Sequence, residues 1–380
     1  MSTRVAVACS ERSDTSAAFT EAAVEVASEL GDRCDLCVVF ASGRHLTRPD
    51  EVLAAVHDEL APTSLIGCGA AGLVAGSREI ESGTAALVWG ASFDYPGVAT
   101  HALPGRDAEP DLDGLEDADW ETLLLLADPY SFTSDSALDA LHEANPGRPV
   151  LGGLASAAVG GEAVLFRDRE VLHGGAVAAS LRGVSVLPTV SQGATAVGPT
   201  LRVTAADGNS VIELDGEPAL QQLETVITEL PDADRRKAAA GLMLGIDVGS
   251  GPASQGAYLV RPVVGVDKQH GSVLVGQTVE AGQVVRLYVR DEQSADEDLR
   301  SALDVQAEAV GSGGAAGALL FTCNGRGTNM FSEPHHDAEA LTQRLGVVPA
   351  GFFCAGEIGP VGGRSFLHGF TATMAVFPAD

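Results

Sequence analysis

GALLFTCNGRG, at residues 317–327, is the stretch of sequence that decides the fold. Its apolar part has the composition of a buried strand, and it ends in small and polar residues. An amphipathic helix is predicted at 337–345, followed by a Gly-rich strand end at 351–360 and a further strand at 369–377. This order predicts a βαββ-like unit, in which a crossover helix joins the first two strands.

The same order occurs twice earlier in the chain. Copy 1 places its strand, helix, Gly-rich turn and closing strand at 36–43, 50–60, 65–72 and 83–90. Copy 2 places them at 122–128, 134–144, 150–156 and 174–181, and the unit quoted above is copy 3. The closing strands follow the Gly-rich turns by only about 10 residues, a spacing typical of hairpins, so we expect mixed sheets.

The chain of 380 residues is too long for one ordinary core and long enough for two domains. A stretch of different pattern separates copies 2 and 3, so we place the boundary near 193–199. The predicted domains are residues 1–195 and 196–380. The predicted fold class is α/β, with two domains, mixed sheets, crossover helices and Gly-rich turns at the strand ends.

The formal charge of −29 and the presence of only two lysines, Lys237 and Lys268, disfavour nucleic acid and anionic membranes as partners. Residues 1–10 lack the basic flank and the long apolar region of a signal peptide, and no apolar run approaches the ~20 residues of a membrane helix. We therefore expect a cytoplasmic protein, whose six cysteines are reduced thiols.

Several of these segments resemble the FIST family. The third-copy segments FTCNGRG (321–327) and GFFCAGEIGP (351–360) resemble its C-terminal half. The turns IGCGAAG (66–72) and LGGLAS (151–156) are similar to its N-terminal part. The resemblance covers about residues 30–375.

The family's name refers to F-box proteins and intracellular signal transduction. The resemblance implies a non-catalytic sensory module that binds small molecules such as amino acids and is usually attached to an output domain. The sequence shows no such output domain. We therefore expect a separate signalling protein to respond to ligand binding.

The turn at 323–327 is the first candidate for ligand contact. Its glycines allow backbone conformations that expose amide hydrogens to an anion, and Arg326 has a planar fork suited to a carboxylate, which Asn324 would help to orient. The alternative is structural, with Arg326 paired to Glu357 across two turns. Glu357 itself would either accept a ligand ammonium or cap backbone amides.

Ligands of α/β sheets commonly bind at the carboxyl ends of strands, which is where these turns lie. We expect a small carboxylate such as an amino acid to bridge the turns. The predicted ligand-binding residues are Cys323, Asn324, Gly325, Arg326, Gly327, Gly356, Glu357, Gly152 and Gly153. No catalytic residue, metal ligand or cofactor is expected.

Two other functions stay open. In the first, Cys323 is the nucleophile of a cysteine-dependent enzyme, with His335 and His336 in the same unit, and a thiol pKa near the ordinary value would speak against it. In the second, the protein is an interaction scaffold without a ligand, which predicts an exposed apolar patch.

Three motifs are interpreted structurally. GCGAAG at 67–72 matches a dinucleotide fingerprint, but the sequence after it indicates a strand where the fingerprint requires a helix. Cys34 and Cys37 lie between a helix end and a strand start, the reverse of the thioredoxin order, and are interpreted as core thiols. In the run His-His-Asp at 335–337, Asp337 is predicted to cap the following helix or to complement its dipole.

Overall fold

The computed structural model describes residues 3–94, 97–105, 111–249 and 257–379. The chain forms two compact units. The first consists of Met1–Ser191, Leu299–Pro360 and Arg364–Asp380, and the second of Gln192–Asp298 with Val361–Gly363. The second unit begins beside the expected boundary, but residues from Leu299 onward, which were predicted to belong to the second domain, return mainly to the first unit.

The described residues form seven α-helices and three short 3-10 helices. The α-helices are α1 (Thr15–Leu30), α2 (Pro49–Glu59), α3 (Ser134–Ala144), α4 (Ala219–Glu229), α5 (Asp232–Ala240), α6 (Glu292–Val310) and α7 (His336–Leu345).

The strands that precede the second unit belong to copies 1 and 2 and to the segments that flank them. They are β1 (Thr3–Ser10), β2 (Leu36–Ser42), β3 (Ser64–Ala70), β4 (Leu73–Ala75), β5 (Arg78–Ile80), β6 (Ala86–Phe93), β7 (Gly97–Leu103), β8 (Thr122–Ala127), β9 (Val150–Leu154), β10 (Ala158–Val159), β11 (Glu162–Arg167), β12 (Glu170–His173), β13 (Ala176–Arg182) and β14 (Leu187–Ser191).

The remaining strands form the second unit and copy 3. They are β15 (Thr195–Asp207), β16 (Ser210–Leu214), β17 (Glu217–Pro218), β18 (Leu242–Asp247), β19 (Tyr258–Asp267), β20 (Ser272–Val275), β21 (Val284–Val289), β22 (Ala315–Cys323), β23 (Pro349–Cys354), β24 (Glu357–Val361), β25 (Arg364–His368) and β26 (Ala372–Pro378). Helices and mixed sheets confirm the predicted α/β class.

The three repeats are present. In each copy two parallel strands flank a helix, and the pairs are β2 with β3, β8 with β9 and β22 with β23. The expectation that the closing strands form hairpins with the strands before them was wrong. Each closing strand instead pairs antiparallel with the first strand of its copy, so that β6 pairs with β2, β13 with β8 and β26 with β22.

The segments that follow the Gly-rich turns are exchanged between copies. The β4–β5 hairpin of copy 1 pairs with β23 of copy 3, β11 of copy 2 pairs with β3 of copy 1, and β24 of copy 3 pairs with β9 of copy 2. The outer strands β1, β7 and β14 complete the three sheets. Each copy therefore contributes a strand to a neighbouring sheet, which ties the carboxyl-terminal copy to the amino-terminal one.

The three sheets share one apolar core, which contains residues of all three copies. Aromatic rings cross between sheets within it: Phe40 lies 5.0 Å from Phe352, and Trp89 lies 5.1 Å from Phe377. The opposite sheet faces are covered by α1 and α2, by α3, and by α6 and α7. The Gly-rich turns are thereby held at the carboxyl ends of the parallel strands.

The second unit is an antiparallel sheet in the order β15-β21-β18-β19-β20-β16-β17. β15 also pairs with β16, so the pairing of six strands closes on itself. Register shifts interrupt the pairing of β15 with β21 between Val197 and Thr200, and that of β19 with β20 between Val263 and Gly265, as bulges do in strongly bent strands. Apolar residues of α4 complete the core of this unit.

Candidate functional site

The three copies share one backbone contact at the end of their first strands, and this contact makes their residues directly comparable. The N–H that follows or ends the first strand donates to the carbonyl oxygen of the residue before the closing strand. The pairs are Ser42 to Ala85 at 3.0 Å, Asp128 to Gly175 at 2.8 Å and Cys323 to Thr371 at 3.1 Å.

The N–H of that residue before the closing strand is also capped by a side chain in every copy. In copy 1 it donates to Ser42 Oγ at 2.9 Å, and in copy 2 to Ser131 Oγ at 2.8 Å. In copy 3 the N–H of Thr371 donates to Glu357 Oε2 at 3.0 Å. The acceptor is therefore a serine hydroxyl in copies 1 and 2 and the carboxyl group of Glu357 in copy 3.

Glu357 is fully buried, with an exposed fraction of 0%. Its Oε2 accepts both the N–H and, at 2.9 Å, the hydroxyl of Thr371. Its Oε1 has no hydrogen-bond partner. Burial raises the pKa of Glu357 to about 8, against the opposing effect of the Thr371 hydrogen bonds, because a carboxylate removed from water is disfavoured relative to its neutral acid.

Cys323 lies beside Glu357 and is half-buried. Its Sγ accepts the N–H of Gly325 at 3.4 Å. Burial, followed by the charge of Glu357, raises the pKa of the thiol to about 11. The neighbouring turn lies alongside, because Cys354 is the partner of Cys323 in the parallel register and accepts the N–H of the exposed Asn324 at 2.9 Å.

Arg326 is also fully buried, with an exposed fraction of 0%. Its Nε and Nη2 donate to the two carboxylate oxygens of Asp337, each at 2.7 Å. Burial alone would raise the pKa of Asp337, but the charge of Arg326 outweighs it and holds that pKa below its usual range. The guanidinium fork therefore binds Asp337, a partner that neither predicted alternative named. The charge of Arg326 also opposes the effect of burial on Glu357, which raises the pKa of that carboxyl.

Asp337 lies in the first turn of α7, where a negative charge complements the helix dipole, which was one of its two predicted roles. It does not cap the helix, because its carboxylate is engaged by Arg326. The cap comes from Glu79 of β5, whose Oε1 accepts the N–H groups of Asp337 and Ala338 at 3.0 Å each. Glu79 Oε2 is buried and has no hydrogen-bond partner. Burial, reinforced by the charge of Asp337, raises the pKa of Glu79 to about 7. The contact between Asp337 and Glu79 joins residues 258 positions apart and has no local signal in the sequence.

The glycines of the predicted site are buried at close approaches between strands. Gly152 and Gly153 pair with β24, and a Cβ on Gly153 would lie 2.5 Å from Cys354 Sγ. The carbonyl oxygen of Gly356 accepts the N–H of Leu154 at 2.7 Å. The 152–156 turn therefore touches the 354–357 turn, as expected, but Gly152 and Gly153 serve strand packing.

The other predicted turn residues lie at the rim of this cluster. Gly327 adopts a left-handed backbone with φ 55°, and a Cβ there would lie within 2.8 Å of the Glu81 carboxylate. Glu81 in turn accepts the N–H and hydroxyl of Thr328 at 3.0 and 2.6 Å. Phe370, which the sequence analysis did not single out, packs its ring against Gly325.

Four cavities of about 310 to 440 Å³ are lined by described residues, and none of the four is lined by these turns. Over the same described ranges, no three His, Cys, Asp or Glu side chains are grouped so that they could hold a metal ion. None of the described helices has both the length and the apolar character needed to span a membrane. The strand β3 runs into β4, as expected for a sequence that only mimics the dinucleotide fingerprint.

Comparison with known proteins agrees with this architecture. The FIST N domain profile matches residues 35–217, and the FIST C domain profile matches residues 219–360. The chain belongs to the FIST family. FIST domains are described as sensory domains of signal transduction, and the FIST C match contains both Cys323 and Glu357.

FIST relatives of similar length are found in mycobacteria. An uncharacterised protein of Mycobacterium tuberculosis is 40% identical over 388 residues, which cover 98% of this chain and 99% of the relative. An uncharacterised protein of Mycobacterium bovis is 39% identical over 391 residues, which cover 99% of each chain.

Proposed function

We propose that this FIST protein is a non-catalytic sensor of a small molecule that carries an amino group, such as a free amino acid. The ligand ammonium would bind the Glu357 carboxylate at the ends of β22 and β23. The observation that carries the proposal is the buried Oε1 of Glu357, which has no hydrogen-bond partner.

A carboxylate is not required for the structural role at this position. In copies 1 and 2 the equivalent N–H is capped by Ser42 and Ser131. In copy 3 Oε2 of Glu357 performs this role, so that Oε1 is not needed for it. The thiol of Cys323, a weak donor, lies close enough to oppose the effect of burial, which raises the pKa of Glu357. Because a buried polar atom without a partner costs about 1–3 kcal/mol, the second oxygen needs another explanation.

An ammonium ligand would supply the missing partner. With a pKa of about 8, Glu357 is about nine-tenths protonated at pH 7 in the absence of ligand. A bound ammonium stabilises the ionised carboxylate, so ligand binding would displace that proton. The carboxylate of an amino acid would then face the exposed Asn324, since Arg326 is already engaged by Asp337.

The state of Cys323 supports a sensor over a cysteine-dependent enzyme. A thiol with a pKa of about 11 is ionised in about one molecule in 10,000 at pH 7. Nucleophilic cysteines require the opposite shift, which a neighbouring cation or helix N-terminus provides. The nearby carboxyl of Glu357 instead raises the pKa of the Cys323 thiol.

Signal output is part of the proposal. Because Oε1 is buried, a ligand can reach it only if the groups that cover the turns rearrange. Such a rearrangement would alter the surface around Asn324 and Phe370, both of which are exposed. A separate signalling protein that binds this surface in one state would convert ligand binding into a response.

Titration calorimetry with the twenty free amino acids, and with ethanolamine as a simple amine, tests the proposal. Each titration is run at pH 7 in two buffers that differ in ionisation enthalpy. We expect binding with release of close to one proton, and loss of binding in Glu357→Gln, because glutamine keeps the carbonyl cap but not the charge. Glu79→Gln is the matched control and should bind normally. Absence of binding to the whole set, or equal binding by Glu357→Gln, would contradict the proposal.

A further inference from the structure

We propose that Phe370 determines the specificity of this site, and that its ring holds the hydrocarbon body of the ligand. The ligand is accordingly a small amine with an apolar side chain, such as an apolar amino acid. This inference rests on the function proposed above and names the chemical class of the ligand.

The backbone of Phe370 is the first observation. Its φ is 64°, in the left-handed region that residues with a side chain rarely adopt. The equivalent residue of copy 2 is Gly174, with φ 78°, which adopts this conformation without steric conflict. In copy 1 the position is Thr84, and the left-handed residue is Gly83, with φ 104°. Copy 3 thus keeps a large side chain in a left-handed conformation at a position where copy 2 uses glycine.

The position of the ring is the second observation. Phe370 is 47% exposed, so contacts within the protein bury only part of its apolar surface. The ring nonetheless packs closely against the backbone of Gly325, because a Cβ added to Gly325 would lie only 2.5 Å from Cε1 of Phe370. Gly325 does not have a left-handed φ, so the glycine is needed here for space. The turn is shaped to hold an aromatic ring that remains open to solvent.

The ring lies next to the charged part of the site. Phe370 directly precedes Thr371, whose N–H and hydroxyl bind Glu357. The carbonyl oxygen of Phe370 accepts a hydrogen bond from Nη1 of Arg326 at 3.4 Å. This bond ties the strained backbone of Phe370 to the buried ion pair between Arg326 and Asp337. The apolar ring of Phe370 therefore lies one residue from Thr371, which hydrogen-bonds the buried carboxylate of Glu357. A molecule with an ammonium group and a hydrocarbon body would contact both the ring and the carboxylate.

Ligands with an acidic side chain fit this arrangement poorly. A second carboxylate would approach Glu357 on a protein whose formal charge is −29, and like charges repel. A polar side chain would lie against the aromatic ring without a partner for its own hydrogen bonds.

The test uses leucine and phenylalanine as apolar probes, serine and glutamate as the contrasting probes, and titration calorimetry of four proteins. Wild type is expected to bind the apolar pair at least about tenfold more tightly than serine or glutamate. Phe370→Tyr should keep that preference, because it keeps the ring. Phe370→Gly should lose it, and its thermal midpoint should rise because glycine relieves the strain, which shows that it is folded.

The fourth protein, Glu357→Gln, separates this inference from the proposed function. If Phe370→Gly keeps the preference for apolar probes while Glu357→Gln abolishes binding, the role of Phe370 is refuted and the amine site stands. A wild-type preference for serine or glutamate also refutes it. If Glu357→Gln binds all four probes as wild type does, the proposed function fails together with this inference.

Discussion

Replacement of Glu79 by glutamine should change how the stability of the protein depends on pH. Glu79 Oε1 caps two N–H groups at the start of α7, while its buried Oε2 has no hydrogen-bond partner. Burial and the charge of Asp337 raise the pKa of Glu79 from 4.5 to about 7. Glutamine keeps the carbonyl acceptor but cannot ionise.

The sign and the magnitude follow from the raised pKa. The folded state binds the Glu79 proton more tightly than the unfolded state does, so its contribution to stability is fully present below pH 4.5 and is lost as the pH rises through about 7. At about 1.4 kcal/mol per pH unit, the rise in pKa corresponds to about 3 kcal/mol. We therefore expect Glu79→Gln to gain up to about 3 kcal/mol relative to wild type between pH 5 and pH 8.

Urea unfolding at pH 5, 6, 7 and 8, followed by tryptophan fluorescence, measures this difference. Trp89 and Trp120 are both buried in the first unit, so the signal reports the unit that contains Glu79. The raised pKa of Glu357 should make wild type less stable as the pH rises, and it affects wild type and variant alike. A wild-type-to-variant difference that does not change with pH would refute the assignment of a proton to Glu79 near neutrality.

Three further predictions concern the ion pair, the strand packing and the thiol. Asp337→Asn should destabilise the protein by about 3–5 kcal/mol in urea unfolding, because it leaves the buried Arg326 charge without its carboxylate; a loss below about 1 kcal/mol would contradict this. Gly152→Ala should prevent normal folding, since its Cβ would lie 1.9 Å from a backbone oxygen, whereas Gly241→Ala has open space and should change the thermal midpoint little; similar midpoints would count against the close approach. Alkylation of Cys323 by iodoacetamide should be slow at pH 7 and accelerate up to about pH 11; rapid labelling at pH 7 would favour the enzyme.

The repeats could be predicted from sequence because each copy carries its pattern locally. Apolar strands, an amphipathic helix and glycine-rich turns follow one another within about 60 residues, and the parallel pairing follows from the crossover. The exchange of segments could not be predicted in this way. The β4–β5 hairpin pairs with β23, which is far away in sequence, and an isolated hairpin carries no local mark of its partner strand.

The extent of the second unit escaped prediction for a related reason. Its start near residue 193 is marked by a change of pattern, but its end at Asp298 lies within α6, where the sequence has no break. The return of the chain to the first unit is a tertiary event, caused by the pairing of β26 with β14 and of β22 with β26.

The adjacency of the turns could be predicted from sequence, but the contacts of their side chains could not. The turns at Cys323 and Glu357 do lie side by side, because both follow parallel strands of one sheet. Arg326 was expected either to face a ligand or to pair with Glu357, and Asp337 either to cap a helix or to complement its dipole. Their pairing was missed because sequence does not show which carboxylate reaches a buried guanidinium group. Phe370 lies opposite Gly174 when the closing strands are aligned from Ala176 and Ala372, where they start in the structure. The starts predicted from sequence, at 174 and 369, do not give this alignment.

Native mass spectrometry of the protein purified under gentle conditions tests the amine site most directly. Wild type, Glu357→Gln and Glu79→Gln are compared after incubation with an equimolar mixture of the twenty free amino acids. We predict that wild type and Glu79→Gln retain a bound species with the mass of an amino acid, and that Glu357→Gln carries none. The same bound species on Glu357→Gln, or no bound species on wild type, would contradict the claim that Glu357 binds the ligand.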